Sequence, residues 1–331
     1  MRKSLVTLAA VAACSADASA QSSVEVYGKL DLTVGKGIGT TERALQESAP
    51  GNSRLGFRGT EDLGDGYAAF FGLEHRMRPD TGTEAVAGRF WQGFSVVGLR
   101  TPYGTVTVGR QYTASFSLVE NQVDPFAATT VANLRDVGMR PGAAVLGLSG
   151  SPSGVGTVSR VRVSDSVRYD AKLGNVNFAA SIAESQQEAA TATGPDKPWS
   201  IAVNYGAGPL FLGIGYEDPQ GANDRQWTLA ARYKFGPATV SGGYANGRTN
   251  NSLDTRGMLL GLSYAIGVGE IKVGHAASRV GSGAAAVRLS RFGLGYSYSL
   301  SKRTRLIADV AHERKIATNR AGYDLGIEHN F

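Results

Sequence analysis

The chain has 331 residues, which suffices for one large barrel or two ordinary domains. Its formal net charge of +6 is modest, and without a dense lysine and arginine run we expect no nucleic acid partner. No stretch of 18 apolar residues occurs, which excludes a transmembrane helix. The four histidines and the single cysteine do not stand at metal-ligand spacing, so we expect neither a metal nor a cofactor.

The amino terminus has the features of a signal peptide. Arg2 and Lys3 provide a positive start, and a short apolar segment follows that is too short to span a bilayer. The small residues at 18–20 form a signal-peptidase site. We therefore predict that residues 1–20 are removed and that residues 21–331 form the mature domain.

The only cysteine, Cys14, lies inside this leader, so the mature chain would contain no disulfide bond. Residues 11–14 loosely match a lipoprotein cleavage box, which is the alternative interpretation of this region. The site after Ala20 is the better formed of the two.

Alternating polarity is the main pattern of the mature chain. In residues 24–32 the even positions are apolar or glycine, and the odd positions are Glu25, Tyr27, Lys29 and Asp31. A β-strand places two such sets on opposite faces. Comparable segments of about the length of a tilted membrane strand recur to the end of the chain.

The connections between these segments alternate in length. Seven tight turns rich in Gly, Pro, Asn and Asp alternate with eight longer polar stretches, which gives 15 connections and 16 strands. Short turns at one end and long loops at the other are typical of an outer-membrane β-barrel. We therefore predict an all-β fold, a 16-stranded antiparallel transmembrane β-barrel with short periplasmic turns and long extracellular loops.

The last nine residues form one more alternating segment, which ends on Phe331. We expect this strand to pair with the first strand, because a closed barrel leaves no unpaired strand edge in lipid. Phe331 would then lie in an aromatic girdle at the membrane boundary.

Several segments resemble the general-diffusion porins of β-proteobacteria, a trimeric 16-stranded family. The matching segments are SVEVYG at 23–28, SRLGFRGTEDLG at 53–64, VGL at 97–99, YGTVTVGRQ at 103–111, SVRYD at 166–170, LSKRT at 300–304 and the terminal strand. The resemblance implies an outer-membrane homotrimer with a water-filled channel per subunit for passive diffusion of small hydrophilic solutes and ions. It implies a third loop folded into the pore, contact with outer-membrane lipid and lipopolysaccharide, and assembly by the barrel-assembly machinery through the strand ending in Phe331.

The alternation also indicates which charges face the pore. Lys29 lies on the polar face of the first strand, and Arg54 and Arg58 lie opposite Leu55 and Phe57 in the second. A charge facing lipid at mid-depth costs about 2–4 kcal/mol, so these side chains should point inward. We assign Lys29, Arg54 and Arg58 to the pore constriction.

The resemblance supports Lys29 and Arg54 as basic wall residues and adds Arg162, with Arg160 as a nearby competitor. Similar porins carry a further wall arginine where this chain has Gly93, and the nearest upstream arginine is Arg89. This departure leaves the size of the basic cluster open.

The third loop, at about 113–160, is much longer than its neighbours, as functional loops often are. Glu120 and Asp124 keep the four-residue spacing of the two loop acids in related porins, so we assign them to the constriction. Arg135, Asp136 and Arg140 are weaker candidates. The basic excess suggests weak anion preference, which the loop acids could cancel.

Three other interpretations stay open. A soluble β-sandwich also alternates, but it accounts poorly for the leader and the loop rhythm. A barrel enzyme would need a histidine beside a carboxylate or serine, and no motif supports His275 or His312 in that role. An adhesin or receptor role of the outer loops is compatible with a channel. We predict that the protein is not an enzyme.

Overall fold

The computed structural model describes residues 23–48, 52–127, 129–141, 160–184, 197–219, 223–250, 252–316 and 318–331. The predicted leader at 1–20 lies outside the described residues. Within the described ranges, no helix is long and apolar enough to cross a membrane.

Sixteen long antiparallel strands form one closed barrel, as the sequence predicts. Two short strands, Ala44–Gln46 and Thr83–Glu84, lie in the first two long loops. The barrel strands are β1 Ser23–Lys36, β2 Arg54–Gly64, β3 Tyr67–Arg78, β4 Phe94–Thr101, β5 Gly104–Tyr112, β6 Arg162–Leu173, β7 Val176–Ala183, β8 Trp199–Ala207, β9 Leu210–Asp218, β10 Arg225–Phe235, β11 Ala238–Arg248, β12 Asp254–Ile266, β13 Gly269–Val280, β14 Val287–Ser299, β15 Thr304–Glu313 and β16 Ala321–Asn330.

The first and last strands close the barrel. Each strand pairs with its neighbour in sequence, and β1 pairs antiparallel with β16. Phe331 continues this pairing beyond the end of β16, because its N–H donates to the carbonyl of Gly28 and its carbonyl accepts from the Gly28 N–H, both at 3.1 Å. The predicted closure is therefore confirmed.

The short turns lie together at one end of the barrel. Gly174, Gly208, Gly236 and Gly267 in these turns have φ between 53° and 58°, a conformation that glycine adopts without steric cost. The long connections, including the third loop after β5, lie at the opposite end. This arrangement confirms the predicted rhythm of short turns and long loops.

The two faces of the barrel differ in side-chain size and polarity. Large apolar side chains point outward, and Leu260 on β12 is 65% exposed for this reason. Its neighbour Leu259 points inward and is 1% exposed. A lipid-facing apolar surface around a largely polar interior is the pattern of transmembrane barrels.

The third loop folds into the barrel, as predicted. It contains helix α1 at Ala114–Leu118, a 3₁₀ turn at Glu120–Gln122 and helix α2 at Arg135–Gly138. Thr113 caps α1, because its hydroxyl accepts a hydrogen bond from the Phe116 N–H. The loop buries an apolar cluster against the inner wall, in which its own residues are Ala114, Val119, Val123, Phe126, Ala132, Leu134, Val137 and Met139.

Candidate functional site

The third loop packs against wall positions with little or no side chain. Gly257 on β12 lies against the backbone of Gly138, and Gly274 on β13 lies against Leu134. Gly293 on β14 contacts Ala132 in the same way. Small inward residues on these strands let the loop approach the wall backbone closely, which fixes its depth in the barrel.

Hydrogen bonds from the wall satisfy the polar backbone of the loop. Ser241 Oγ donates to the Val123 carbonyl at 2.6 Å, and Arg232 Nη1 donates to the Gln122 carbonyl at 2.8 Å. The Ser115 N–H donates to Ser200 Oγ at 2.9 Å. Since buried backbone groups need partners, these bonds tie the loop to three separate strands.

Asp124 organises the turn between the two loop helices. Its carboxylate accepts backbone N–H groups from Phe126 at 3.0 Å and from Leu134 and Arg135 at 3.1 Å each. Burial raises the pKa of Asp124 above its ordinary value, although these N–H groups act in the opposite direction. The predicted constriction acid therefore holds the loop in shape.

Asp136 lies between two arginines of the same loop. Arg135 Nη2 is 3.1 Å from its carboxylate and Arg140 Nη1 is 3.3 Å away, and Asn133 Nδ2 donates to it at 2.7 Å. Burial opposes the charge of Asp136, but the two guanidinium groups outweigh this effect and hold its pKa below the ordinary value. Asp136 is therefore ionised, and the two arginines offset its negative charge within the loop.

Glu120 lies on the wall side of the loop and is fully buried. Its carboxylate accepts from Ser115 Oγ at 3.1 Å and from Gln226 Nε2 at 3.4 Å. The structure thus places both predicted loop acids in contacts that attach or shape the loop.

A basic cluster lies on the wall formed by β2, β3, β5 and β6. Its first part surrounds Glu74, which lies 2.7 Å from Arg76 Nη2 and 3.9 Å from Arg54 Nη1. The hydroxyl of Tyr27 donates to the same carboxylate at 3.1 Å. The Arg54 side chain is 31% exposed, whereas that of Glu74 is buried, so the positive group is the one available to solutes.

The second part of the basic cluster is formed by Arg110 and Arg162. Arg162 lies over the ring of Tyr112 at 4.3 Å and donates to its hydroxyl at 2.7 Å. Arg110 donates to the Gln92 carbonyl at 2.9 Å and to Ser164 Oγ at 2.8 Å. Stacking on the Tyr112 ring and the hydrogen bond to its neutral hydroxyl hold the Arg162 guanidinium group without cancelling its charge.

The basic cluster, Arg54, Glu74, Arg76, Arg110 and Arg162, carries four positive charges and one negative charge, a net +3. Arg76, Glu74 and Arg110 are all close enough to Arg162 to interact with it electrostatically. Two of the residues predicted for the constriction, Arg54 and Arg162, therefore lie together here.

Lys29 and Arg58 point inward, but each has an acidic partner. Lys29 Nζ lies 2.7 Å from Glu328 on β16, and its side chain is only 6% exposed. Arg58 forms a 2.8 Å ion pair with Glu25, and both of these side chains are more than half exposed. Arg58 also lies 5.0 Å from the Tyr27 ring, which separates it from Arg54 along the wall.

Glu74, Arg76 and Arg110 were not predicted from the sequence. Strand alternation could have found the first two, since Glu74 and Arg76 share the inward face of β3. The contact between Glu74 and Gly93 could not be read from the sequence, because it depends on how the second long loop folds back onto β3. A Cβ on Gly93 would lie 2.3 Å from Glu74 Oε1. Glu74 thus fills the space beside the position where similar porins carry a wall arginine.

His275 and His312, the two histidines considered for a catalytic role, lie on the outer face of the barrel. His275 Nε2 lies 3.0 Å from Ser290 Oγ on the neighbouring strand, and His312 also points outward from β15. Among the described residues, no acidic side chain forms a hydrogen bond with the His275 ring. Within the same part of the chain, no group of three or more His, Cys, Asp or Glu side chains is placed to hold a metal ion.

Comparison with known proteins agrees with this architecture. The sequence profile of the Gram-negative porin family matches residues 7–316. Outer membrane porin protein 32 of Delftia acidovorans is 32% identical over 327 residues, which cover 94% of this chain and 89% of that protein. An outer membrane porin protein of Bordetella pertussis is 32% identical over 146 residues, 39% of this chain and 38% of that protein.

Solved porin structures superpose on the whole barrel. The structure described as an anion-selective porin from Comamonas acidovorans has a TM-score of 0.75 and 27% sequence identity, covering 94% of this chain and all of that one. OmpT of Vibrio cholerae in its trimer form shares the fold, with a TM-score of 0.71, 14% identity and coverage of 94% and 99%. The chain belongs to the Gram-negative porin family and forms a diffusion channel of the outer membrane.

Proposed function

We propose that this porin passes small hydrophilic anions in preference to cations, and that the basic cluster is its selectivity filter. The observation that carries the proposal is the net +3 of the cluster on one stretch of wall. Channels select by the charges at their narrowest ring, and low-dielectric walls strengthen the field of those charges.

The acids of the third loop do little to offset this charge. Asp136 is neutralised by Arg135 and Arg140, and Glu120 is buried against the wall. Asp124 is occupied by three backbone N–H groups. The likeness to a structure described as an anion-selective porin supports the same direction of selectivity.

The residues predicted for the constriction then divide by role. We assign Arg54 and Arg162 to the filter, together with Arg76 and Arg110. Lys29 holds the β1–β16 seam through Glu328. Arg58 with Glu25 forms an approach to the filter on the side of the short turns, while Glu120 and Asp124 keep the loop in position.

Substitution at Arg54 tests the filter. Arg54→Gln removes the most accessible positive charge of the Arg54, Glu74 and Arg76 group, so the anion-to-cation permeability ratio should fall in planar bilayers. Lys302→Gln, in a short turn at the end of the barrel, is the matched control and should leave the ratio unchanged. Equal ratios in wild type and Arg54→Gln would remove Arg54 from the filter.

We also propose that three subunits associate through the outer faces of β1, β2, β4 and β5. These faces carry aliphatic side chains such as Val26, Leu30 and Val97, whereas Trp199 and Trp227 lie on the outer faces of β8 and β10. Trp and Tyr are typical of lipid interfaces, which supports lipid contact on the β8–β10 side. Native mass spectrometry of the folded protein should give a trimer, and a monomer would contradict this assignment.

Two processing steps belong to the same proposal. Residues 1–20 direct export and are cleaved after Ala20, and the barrel-assembly machinery engages the strand that ends in Phe331. Intact mass spectrometry of the exported protein should show Gln21 at its amino terminus. Removal of Phe331 should reduce the yield of folded barrel, since it also removes the two hydrogen bonds to Gly28.

We also propose that the protein catalyses no reaction. The His275–Ser290 contact lacks the carboxylate that orients a catalytic histidine among the described residues. Purified protein should release no fatty acid from phospholipid vesicles. Release that disappears in Ser290→Ala would favour an outer-membrane lipase instead.

A further inference from the structure

A cavity of about 430 Å³ lies between the third loop and the short-turn end of the barrel. Residues 122–125 of the loop form its roof, and the inner faces of β10 to β13 form its wall. A Cβ on Gly261 of β12 would lie 2.7 Å from Pro125 Cδ, so the loop rests directly on this wall. We call this space the lower cavity. It is separate from the basic cluster, which lies on β2 to β6, and its size suits one small molecule.

The strand register brings cations and hydroxyl groups together on the wall of the lower cavity. Lys234 on β10 lies opposite Thr239 on β11, which lies opposite Ser263 on β12. Two residues farther from the short turn, Arg232 lies opposite Ser241. Alternate residues of a strand face the same side, and all five of these residues line the cavity.

Two of these residues supply positive charge that the described part of the chain leaves available. No described carboxylate forms a salt bridge with Lys234 or Arg232. Arg232 Nη1 donates to the Gln122 carbonyl at 2.8 Å, and its guanidinium group lies 5.1 Å from the centre of the Phe211 ring. These uncharged partners orient the guanidinium group, which has five N–H donors and keeps most of them for a ligand.

Acidic groups in the same lining restrict the kind of ligand. The Glu270 side chain is 40% exposed, and Lys272 Nζ lies 3.4 Å from its carboxylate. Asp124 is engaged by the three backbone N–H groups of the loop. Glu270 repels a dianion more strongly than a monoanion, whereas ligand hydroxyl groups can donate to its carboxylate. The lining therefore suits a molecule with one negative charge and several hydroxyl groups.

We propose that the lower cavity binds a sugar acid, a small molecule with one carboxylate and several hydroxyl groups. Lys234 and Arg232 bind its carboxylate through charge-assisted hydrogen bonds. Thr239, Ser263 and the Glu270 carboxylate bind its hydroxyl groups. The proposal adds a solute site to the channel, and it is independent of the anion preference proposed for the basic cluster.

Saturation-transfer difference NMR of the full folded protein in detergent measures this binding without relying on ion conduction. The probes are gluconate, the neutral polyol sorbitol, and propionate, which has the carboxylate but lacks the hydroxyl groups. Gluconate should bind at least about fivefold more tightly than either of the other two, since each lacks one set of hydrogen bonds. Equal binding of the three probes, or no saturable binding of gluconate, would overturn the proposal.

Substitution localises the binding. Lys234→Gln and Ser263→Ala should each weaken gluconate binding by about fivefold. Lys302→Gln removes a positive charge from another short turn at the same end and should bind gluconate like wild type. Arg54→Gln should also bind it like wild type, although this variant changes the filter.

Two results would contradict the location. Gluconate affinity that is unchanged in both Lys234→Gln and Ser263→Ala would remove the site from the lower cavity. Affinity that falls in Arg54→Gln but not in Lys234→Gln would place the sugar acid in the basic cluster. The reversal potential in KCl tests the filter separately, so a wild-type protein that binds gluconate without anion preference would contradict the filter and retain this site.

Discussion

Gly257 on the barrel wall lies so close to Gly138 of the third loop that a Cβ on Gly257 would be 2.1 Å from the Gly138 carbonyl oxygen. The obstructing atom is backbone and cannot rotate away. The glycine is therefore required for the depth at which α2 sits in the pore.

Gly257→Ala should push α2 away from the wall and toward the pore centre. We expect lower single-channel conductance and a loss of about 1–3 kcal/mol of stability, as in other overpacked sites. Gly242→Ala on the neighbouring strand is the control, because its Cβ would meet the Leu260 side chain at 3.4 Å and the Leu259 carbonyl oxygen at 3.7 Å, which are ordinary van der Waals contacts. If both variants conduct like wild type, contact between the loop and Gly257 does not set the pore width.

Glu74→Gln should make the pore more selective for anions. The substitution removes the single acid of the basic cluster and raises its net charge from +3 to +4. It also removes the buried ion pair between Glu74 and Arg76, so we expect a stability loss of about 3–5 kcal/mol. Asp65→Asn, which removes an acid from the short turn between β2 and β3 at the end of the barrel, is the matched control, and a Glu74→Gln pore of unchanged or lower anion preference would contradict the filter assignment.

Lys29→Met should affect the barrel seam more than the filter. Lys29 joins β1 to Glu328 on β16 and also donates to Asn52 at 3.0 Å. Removing it leaves a buried carboxylate that Arg305 neutralises only in part, so we expect about 3 kcal/mol of destabilisation. The temperature at which the folded barrel loses its heat-modifiable electrophoretic mobility measures the effect on stability. The reversal potential measures the effect on ion selectivity. A large change in selectivity with unaltered stability would return Lys29 to the filter.

The pH dependence of loop anchoring follows from Asp136. Because its pKa is lowered in the folded protein, its contribution to stability is present above its ordinary pKa, near 3.8, and is lost only as the pH falls below that value. Asp136→Asn should cost about 3 kcal/mol from pH 8 to 5, and the difference from wild type should shrink below pH 4. Thermal unfolding of both proteins over this pH range measures it, and a difference that vanishes already at pH 6 would exclude this role.

Much of the fold could be predicted because a barrel repeats two simple signals. Alternation along residues 24–32 is visible in the sequence, since lipid requires apolar residues on one face. The short turns contain glycine at positions that require a left-handed backbone, such as Gly174 and Gly208. These local rules fix strand number and sidedness without long-range information.

The candidate site was predicted only in part, because its contacts cross the barrel. Arg54 could be placed by strand parity and Arg162 by resemblance, but whether an inward charge is free or paired depends on a distant strand. Lys29 meets Glu328, nearly 300 residues later. Glu120 has the spacing of a pore acid, yet Gln226 and Ser115 enclose it against the wall. No local pattern encodes such pairs.

The central claim is that a net positive filter makes this porin prefer anions. Its most direct test is the reversal potential of the wild-type protein in a planar bilayer that separates concentrated from dilute KCl. The reversal potential of wild type should have the sign of the chloride equilibrium potential. The anion preference should be larger at low ionic strength, where screening of the filter charges is weaker. A reversal potential of zero, or one with the sign of the potassium potential, would contradict the account.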